Sequence, residues 1–166
     1  MLTCIATVLR LIHVNQVFYS PSNDISDYVL IAESWLARRN PPIHQSVLFP
    51  PGLPALLAVH GALLGFDDFR AFLWFQAVLS GFVTAAVAET ARLIIGRRAG
   101  VMAALLYAVA GTPCLLPSLM MTESLAMSLL IVAVWLGLRL IKTPDRIGMM
   151  LFVLAAVSSI WDLWIF

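Results

Sequence analysis

Two carboxylates three positions apart are the feature of the sequence best suited to chemistry. Asp24 and Asp27 follow the first apolar segment and precede a helical pattern. A carboxylate at the mouth of a cavity accepts a proton from an acceptor hydroxyl when the two groups lie within hydrogen-bond distance. The same residues also have a structural explanation, in which Asp24 caps a helix beginning near Ser26 and Asp27 favours its N-terminal dipole. Residue types alone favour the structural explanation over the catalytic one, and both explanations stay open.

A third acid, Glu123, lies about one turn into another apolar segment. An ionisable residue there is expected to face the interior of a bundle or a cavity, because facing lipid is costly. Pairing with polar groups and contacting a substrate are both open roles. Glu89 is different, because it precedes Arg92 by three residues and predicts a simple ion pair on a helix.

Metal and redox patterns are missing from the sequence. Cys4 and Cys114 show no C-x-x-C spacing, and the three histidines are scattered. The topology argued below places the two cysteines near opposite faces of a membrane, so we expect no disulfide between them. Asp24 and Asp27 do not form a D-x-D pair. No cofactor is therefore predicted, and a divalent metal has no support.

The composition excludes an ordinary soluble domain. Of the 166 residues, 61% are hydrophobic and 11% are charged, whereas soluble domains are about half apolar and a quarter charged. The same balance excludes disorder. A net charge of +1 without a basic run excludes nucleic acid as a partner. The sequence therefore predicts an integral membrane protein with room for roughly five spans of about 20 residues.

The predicted fold is all-α, a polytopic bundle of about five transmembrane helices. Each proposed span approaches the length that crosses a core of roughly 30 Å. The first span contains four polar residues that we expect to face protein, and one later span carries small residues every four positions that predict close helix packing. The spans are 1–19, 71–91, 99–117, 119–138 and 147–166; the polar residues are Arg10, His13, Asn15 and Gln16; the small residues are Gly100, Ala104 and Ala108.

Basic residues in the short connections predict the orientation. Two connections carry three cations each, and cytoplasmic loops are enriched in lysine and arginine. Loop 20–70 then lies on the non-cytoplasmic side of the cell inner membrane, where it holds five of the nine carboxylates. The cations are Arg92, Arg97 and Arg98 in one connection and Arg139, Lys142 and Arg146 in the other.

Loop 20–70 is predicted to contain two interfacial helices that do not cross the membrane. The first has one apolar face and should end at the Asn-Pro-Pro sequence of residues 40–42. Its Tyr28 and Trp35 are expected to anchor it at the membrane surface. The second, 53–64, is about 12 residues long and too short to span. The apolar face comprises Tyr28, Ile31, Ala32 and Trp35.

Several different short motifs follow one another along the sequence. They are an arginine in the first span, Asp24-Ile25-Ser26-Asp27-Tyr28, Ile31-Ala32, Pro50-Pro51-Gly52-Leu53-Pro54, Leu64-Gly65, Arg70 at the start of a span, Ile95-Gly96-Arg97-Arg98-Ala99 and Thr122-Glu123-Ser124-Leu125. Together they resemble the start of GT-C-type membrane glycosyltransferases, over about residues 5–155. The closest branch is the protein-mannosyltransferase-like group that includes bacterial aminoarabinose and lipopolysaccharide-sugar transferases.

The resemblance implies transfer of a hexose or pentose from a polyprenyl-phosphate donor to an acceptor at the external or periplasmic face. It makes Asp24 or Asp27 the catalytic carboxylate, with Asp24 first because its spacing to Tyr28 fits the family better. Tyr28 would support the first loop helix and Glu123 would line the cavity. The lipid phosphate calls for a cation, and Arg38, Arg39 and Arg70 are the candidates. The implied partners are the lipid-linked donor and membrane lipids.

Two further expectations concern the length of the chain and its class. Members of the group are usually several hundred residues long, and this sequence ends inside an apolar segment, so we expect an N-terminal fragment whose activity alone is open. The alternative function is a non-catalytic membrane subunit that binds a partner or lipid through loop 20–70. A transporter is disfavoured because no confidently assigned span carries a carboxylate near its middle.

Overall fold

The computed structural model describes residues 2–16, 23–41, 50–110 and 122–163, and at 23–24, 122–123 and 160–163 it describes the backbone alone. Within these ranges the chain forms helices and no strands, as the sequence predicts. The helices are α1 Leu2–Gln16, α2 Asn23–Leu36, α3 Gly52–Leu64, α4 Arg70–Ile94, α5 Arg97–Val109, α6 Thr122–Lys142 and α7 Arg146–Leu163.

Two of the described helices are long and apolar enough to cross a membrane. They are Arg70–Ile94 and the Ser124–Lys142 part of α6. The helices Gly52–Leu64 and Arg146–Ser159 are apolar but shorter. Four of the predicted spans include residues outside the described ranges, namely 1–19, 99–117, 119–138 and 147–166. The number of five spans therefore stays a prediction.

Helices α1 and α4 run in opposite directions. Asn15, near the end of α1, is within 3.4 Å of the Trp74 indole nitrogen near the start of α4. Thr7, earlier in α1, packs against Gly81 further along α4, where an added Cβ would lie 1.9 Å from the threonine Oγ1. Glycine is therefore required for this crossing, and the end of α1 meets the beginning of α4.

Helix α5 turns back along α4 after Gly96, whose φ of 127° suits glycine. A Cβ on Gly100 would lie 2.7 Å from the carbonyl oxygen of Ala88, so the two backbones are in close contact. Ala104 and Ala108 are buried on the same face of α5. The predicted packing role of these small residues is confirmed.

The two basic connections lie at one end of the bundle. The Lys142 ammonium donates a hydrogen bond to the Leu93 carbonyl at 3.0 Å, which joins the end of α6 to the end of α4. Helix α7 begins after a short turn in which the Asp145 carboxylate accepts a hydrogen bond from the backbone N–H of Gly148. We call this the basic end; its cations are Arg92, Arg97, Arg98, Arg139, Lys142 and Arg146.

Helices α2 and α3 pack at the opposite end, which we call the loop end. One buried cluster joins them to the end of α1 and the beginning of α4. Apolar contact therefore holds both loop helices against the bundle. The cluster contains Val14, Ile25, Tyr28, Ala32, Leu53, Leu57, Phe72, Leu73 and Ala77.

The predicted apolar face of α2 is confirmed for Tyr28, Ile31 and Ala32, which are buried. Trp35, at the end of that face, is 38% exposed. Tyr28 is only 6% exposed and packs in the core, so the prediction that it anchors the helix at the surface is wrong. The packing of Tyr28 against α3 and α4 explains this, because the core offers its ring more apolar contact than the helix surface.

Helix α2 ends four residues before the predicted proline stop. Arg38 has a φ of 53°, in the left-handed region. The Arg39 N–H bonds the Ser34 carbonyl at 2.8 Å, and the Arg38 N–H bonds the Trp35 carbonyl at 3.0 Å. This is a Schellman ending, which satisfies terminal carbonyls that would otherwise lack donors. Hydrogen bonding at Arg38, and not the prolines, sets the end of the helix.

Candidate functional site

An open groove of about 430 Å³ lies at the loop end between α2 and the start of α4. Asp27, half-buried, and the exposed Glu33 supply its carboxylates, and Ser26 supplies a hydroxyl. The remaining lining is apolar, so the groove contains only a few polar groups. The lining residues are Ile25, Ser26, Asp27, Val29, Leu30, Glu33 and Phe69.

Helical periodicity explains why Asp27 lies in this groove. Tyr28 and Ile31 turn into the core and fix the rotation of α2. Asp27, Leu30 and Glu33 follow one another at intervals of three residues, so they lie on the side of α2 that borders the groove. The buried Tyr28 therefore holds Asp27 at the groove through the backbone of α2.

The opposite wall of the groove is fixed by His60, which the sequence did not single out. His60 is buried, its Nε2 lies 3.1 Å from the Asp68 carbonyl oxygen, and its ring stacks on Phe69 at 5.7 Å between centroids. The Asp68 carboxylate accepts a hydrogen bond from the Arg70 N–H at 2.8 Å and so caps α4. These contacts place Phe69 in the groove and the exposed Arg70 immediately beyond it.

A second groove, of about 560 Å³, is almost wholly apolar and lies between α3, α4, α6 and α7. It begins at Pro51 and Gly52, in the Pro-Pro-Gly-Leu-Pro motif, and includes Leu125, two residues after Glu123. Its shape and lining suit a hydrocarbon chain better than a sugar. The lining residues are Pro51, Gly52, Ala55, Leu56, Phe75, Leu79, Leu125, Leu129, Val157 and Ser158.

A family comparison adds to this geometry. The sequence model of the dolichyl-phosphate-mannose-protein mannosyltransferase family matches residues 49–160, more than half of the chain. The chain belongs to this family. No curated protein and no solved structure matches it. The resemblance expected from the motifs is therefore confirmed.

The part of this mannosyltransferase-family chain that matches begins just before α3. It includes Arg70, Glu123 and the whole apolar groove. Asp24, Asp27 and Tyr28 precede it. The family match therefore covers α3 to most of α7, and the roles of the two aspartates depend on their position in α2.

The other predicted site residues have the following positions. Asp24 lies in the first turn of α2, which begins at Asn23 and not near Ser26, so Asp24 does not precede the helix as the capping explanation required. Glu123 lies in the first turn of α6. The side chains of Asp24 and Glu123 are outside the described residues. Arg38 and Arg39 are exposed at the end of α2.

Arg10 is the most deeply buried charged residue among those described, at 0% exposure. Its guanidinium donates hydrogen bonds to the Ser80 hydroxyl at 2.8 Å, the Ala6 carbonyl at 2.9 Å and the Tyr107 carbonyl at 3.2 Å. It also lies 5.6 Å from the centre of the Tyr107 ring. The prediction that Arg10 faces protein is confirmed, and its contacts join α1, α4 and α5.

The remaining polar residues of the first span behave differently. Asn15 and Gln16 are both exposed in the last turn of α1. Asn15 nevertheless faces α4 as predicted, because its Oδ1 accepts a hydrogen bond from the Trp74 Nε1 at 3.4 Å, whereas the prediction is wrong for Gln16. His13 is partly buried, in agreement with the prediction.

The described residues contain no cluster of three metal-ligating side chains. At the basic end, the predicted pair of Glu89 and Arg92 is confirmed, with two hydrogen bonds of 2.5 and 2.6 Å. Both side chains are more than a third exposed, so the pair adds little to stability.

Proposed function

We propose that this protein transfers a sugar from a polyprenyl-phosphate donor to an acceptor hydroxyl at the loop end, on the non-cytoplasmic side of the inner membrane. The observation that carries the proposal is the position of Asp27, a half-buried carboxylate in an open groove next to the helix that begins with Arg70. Membership of the mannosyltransferase family supports the class of donor.

The proposed chemistry needs one proton acceptor and one cation. The acceptor oxygen attacks the anomeric carbon of the donor sugar while the bond from that carbon to the phosphate oxygen breaks. Asp27 takes the hydroxyl proton, and the polyprenyl phosphate leaves with its negative charge. Arg70 is the first candidate to neutralise that charge, because it is exposed beside Phe69 in the groove wall.

In this proposal, each of the two grooves binds a different part of the donor. The sugar and phosphate occupy the groove of Asp27, and the hydrocarbon chain occupies the apolar groove that begins at Pro51. Helix α3 lies between them, since it lines the apolar groove with Ala55 and packs against α2 through the core that contains Leu57. Asp24 remains the second candidate base, and Glu123 the candidate for contacting substrate near the apolar groove.

The test replaces Asp27 by Asn in the full-length protein and measures sugar transfer in membranes. Loss of a general base lowers the rate by about 10²–10⁴-fold, and Asp24→Asn tested in parallel ranks the two acids. Asp67→Asn is the matched control, because Asp67 is an exposed acid at the same end that does not line the groove.

Unchanged transfer in Asp27→Asn, with normal insertion, would reject Asp27 as the base. If both aspartate variants keep full transfer, the catalytic role of α2 is wrong. If the unaltered full-length protein shows no transfer from any polyprenyl-phosphate sugar yet retains a bound partner or lipid, the protein is a non-catalytic subunit.

A further inference from the structure

A third groove, of about 500 Å³, lies between α6 and α7 and meets the apolar groove at Leu129 and Ser158, which line both. It extends from Arg139 and Ile147 at the basic end to Leu129 and Ser158 further along the two helices. Leu129 and Arg139 are ten positions apart on α6, which at 1.5 Å per residue is about 15 Å. This is roughly half of a 30 Å hydrocarbon core, the depth of one leaflet. The length of the groove therefore suits an acyl chain of a lipid in the leaflet at the basic end.

The walls of this groove are apolar and its mouth is charged. Leu129, Val132, Leu136, Leu151 and Leu154 line it along the helices, and Arg139 and Asp145 line it at the basic end. The groove thus combines an apolar slot with a polar opening, which matches the two parts of a phospholipid.

The basic end around the mouth carries more cations than acids. The Asp145 carboxylate already caps α7 through the Gly148 N–H, so it is engaged with the backbone. Arg139 lines the groove, and the exposed Lys142 and Arg146 lie at the same end of α6 and α7 without lining it. The bond from Lys142 to the Leu93 carbonyl also brings the cations of the first basic connection to the same end. The opening therefore complements an anionic headgroup.

Trp135 is a second, independent feature of the groove wall. Its Nε1 is closed to solvent and has no hydrogen-bond acceptor among the described residues. The Arg139 guanidinium lies 6.0 Å from the centre of the indole ring. The ring therefore supports the Arg139 guanidinium at the mouth of the groove through a cation–π contact.

We propose that the groove between α6 and α7 binds an anionic phospholipid of the leaflet at the basic end. The phosphate pairs with Arg139 within the positive charge of the basic end, and one acyl chain lies along α6 and α7. Trp135 supports the Arg139 guanidinium with its ring. The charged mouth lies at the basic end, away from Asp27, and the proposal does not depend on sugar transfer, although Leu129 and Ser158 also line the apolar groove.

The test measures the melting temperature of the purified full-length protein in detergent with added lipid. Phosphatidylglycerol is expected to raise it by about 3–8 °C more than phosphatidylcholine with the same acyl chains. Glycerol phosphate, which has the anion without the chains, is expected to give no shift. Arg139→Gln should remove most of the difference between the lipids, and Arg139→Lys should keep part of it.

The matched control is Arg97→Gln, which removes a cation at the same end but away from the groove, and it should keep the full difference. Native mass spectrometry of the same variants gives a second readout, in which Arg139→Gln retains fewer phosphatidylglycerol molecules. Equal shifts with both lipids, or an undiminished shift in Arg139→Gln, would overturn the proposal. A larger Arg139-dependent shift with polyprenyl phosphate would also overturn it, because the groove would then hold the donor.

Discussion

The loop end and the basic end of the bundle differ in both architecture and charge. At the basic end, α4 and α5 are joined by residues 95–96 and α6 and α7 by residues 143–145. At the loop end, residues 17–69 separate α1 from α4 and include two further helices. Acids predominate at the loop end and cations at the basic end. Short connections only reverse the chain, whereas the long one presents side chains to a groove.

This difference separates two kinds of polar group. Asp27 faces an open groove on a helix whose rotation is fixed by a core. The basic residues lie at helix ends, where Lys142 and Asp145 bond to backbone groups and Glu89 pairs with Arg92. The first arrangement places a carboxylate beside an open groove, and the second stabilises the turns between helices.

The close packing of α4 and α5, which runs towards the basic end, gives the largest expected loss of stability. Gly100→Ala places a methyl group 2.7 Å from the Ala88 carbonyl oxygen, so a backbone must shift. We expect a loss of about 1–3 kcal/mol, measured by thermal or denaturant unfolding in detergent. Val101→Ile, which adds a methyl group to the exposed side of the same helix, is the control. Equal stability of the two variants would contradict the packing described here.

The next largest effect is expected from replacing Arg70, the candidate cation at the loop end. Arg70→Gln should raise KM for the polyprenyl-phosphate donor roughly tenfold, because losing one charge-assisted hydrogen bond at an exposed residue costs about 1.5 kcal/mol, the lower end of the usual range. Arg97→Gln, at the basic end, should leave KM unchanged. If Arg70→Gln leaves it unchanged while Arg38→Gln or Arg39→Gln raises it, the donor phosphate lies at the end of α2 instead.

The smallest effect is expected from substitutions at the end of α2, and it concerns stability. A left-handed conformation costs a non-glycine residue roughly 1–2 kcal/mol, so Arg38→Gly should raise the free energy of unfolding by up to about 1 kcal/mol. Arg39→Gly is the control, because Arg39 is not among the described residues with a positive φ. Stabilisation by Arg39→Gly and not by Arg38→Gly would contradict the Schellman ending.

Local patterns predicted those parts of the structure that depend on neighbours along one helix. The core face of α2, the small residues of α5 and the Glu89–Arg92 pair all follow from helical spacing. The burial of Arg10 followed from the cost of a charge in an apolar segment. The family was recognised because its motifs have a fixed order.

The parts that sequence reasoning missed depend on distant or conformational contacts. His60 fixes the groove wall through the Asp68 carbonyl and the Phe69 ring, which only the α3–α4 turn brings together. Its one signal was a polar residue inside a short apolar helix. The early end of α2 depends on the φ of Arg38, which no spacing reveals. The buried Trp135 N–H likewise depends on packing between α6 and α7.

The central claim, that the loop end lies outside and the basic end inside, is tested most directly by labelling. Single cysteines replace Asp67 at the loop end and Arg97 at the basic end, in a protein whose Cys4 and Cys114 are changed to serine. A membrane-impermeant thiol reagent is added to sealed cells and then to permeabilised cells. We expect Asp67→Cys to react in sealed cells and Arg97→Cys to react only after permeabilisation. Reaction of Arg97→Cys but not Asp67→Cys in sealed cells would contradict the claim.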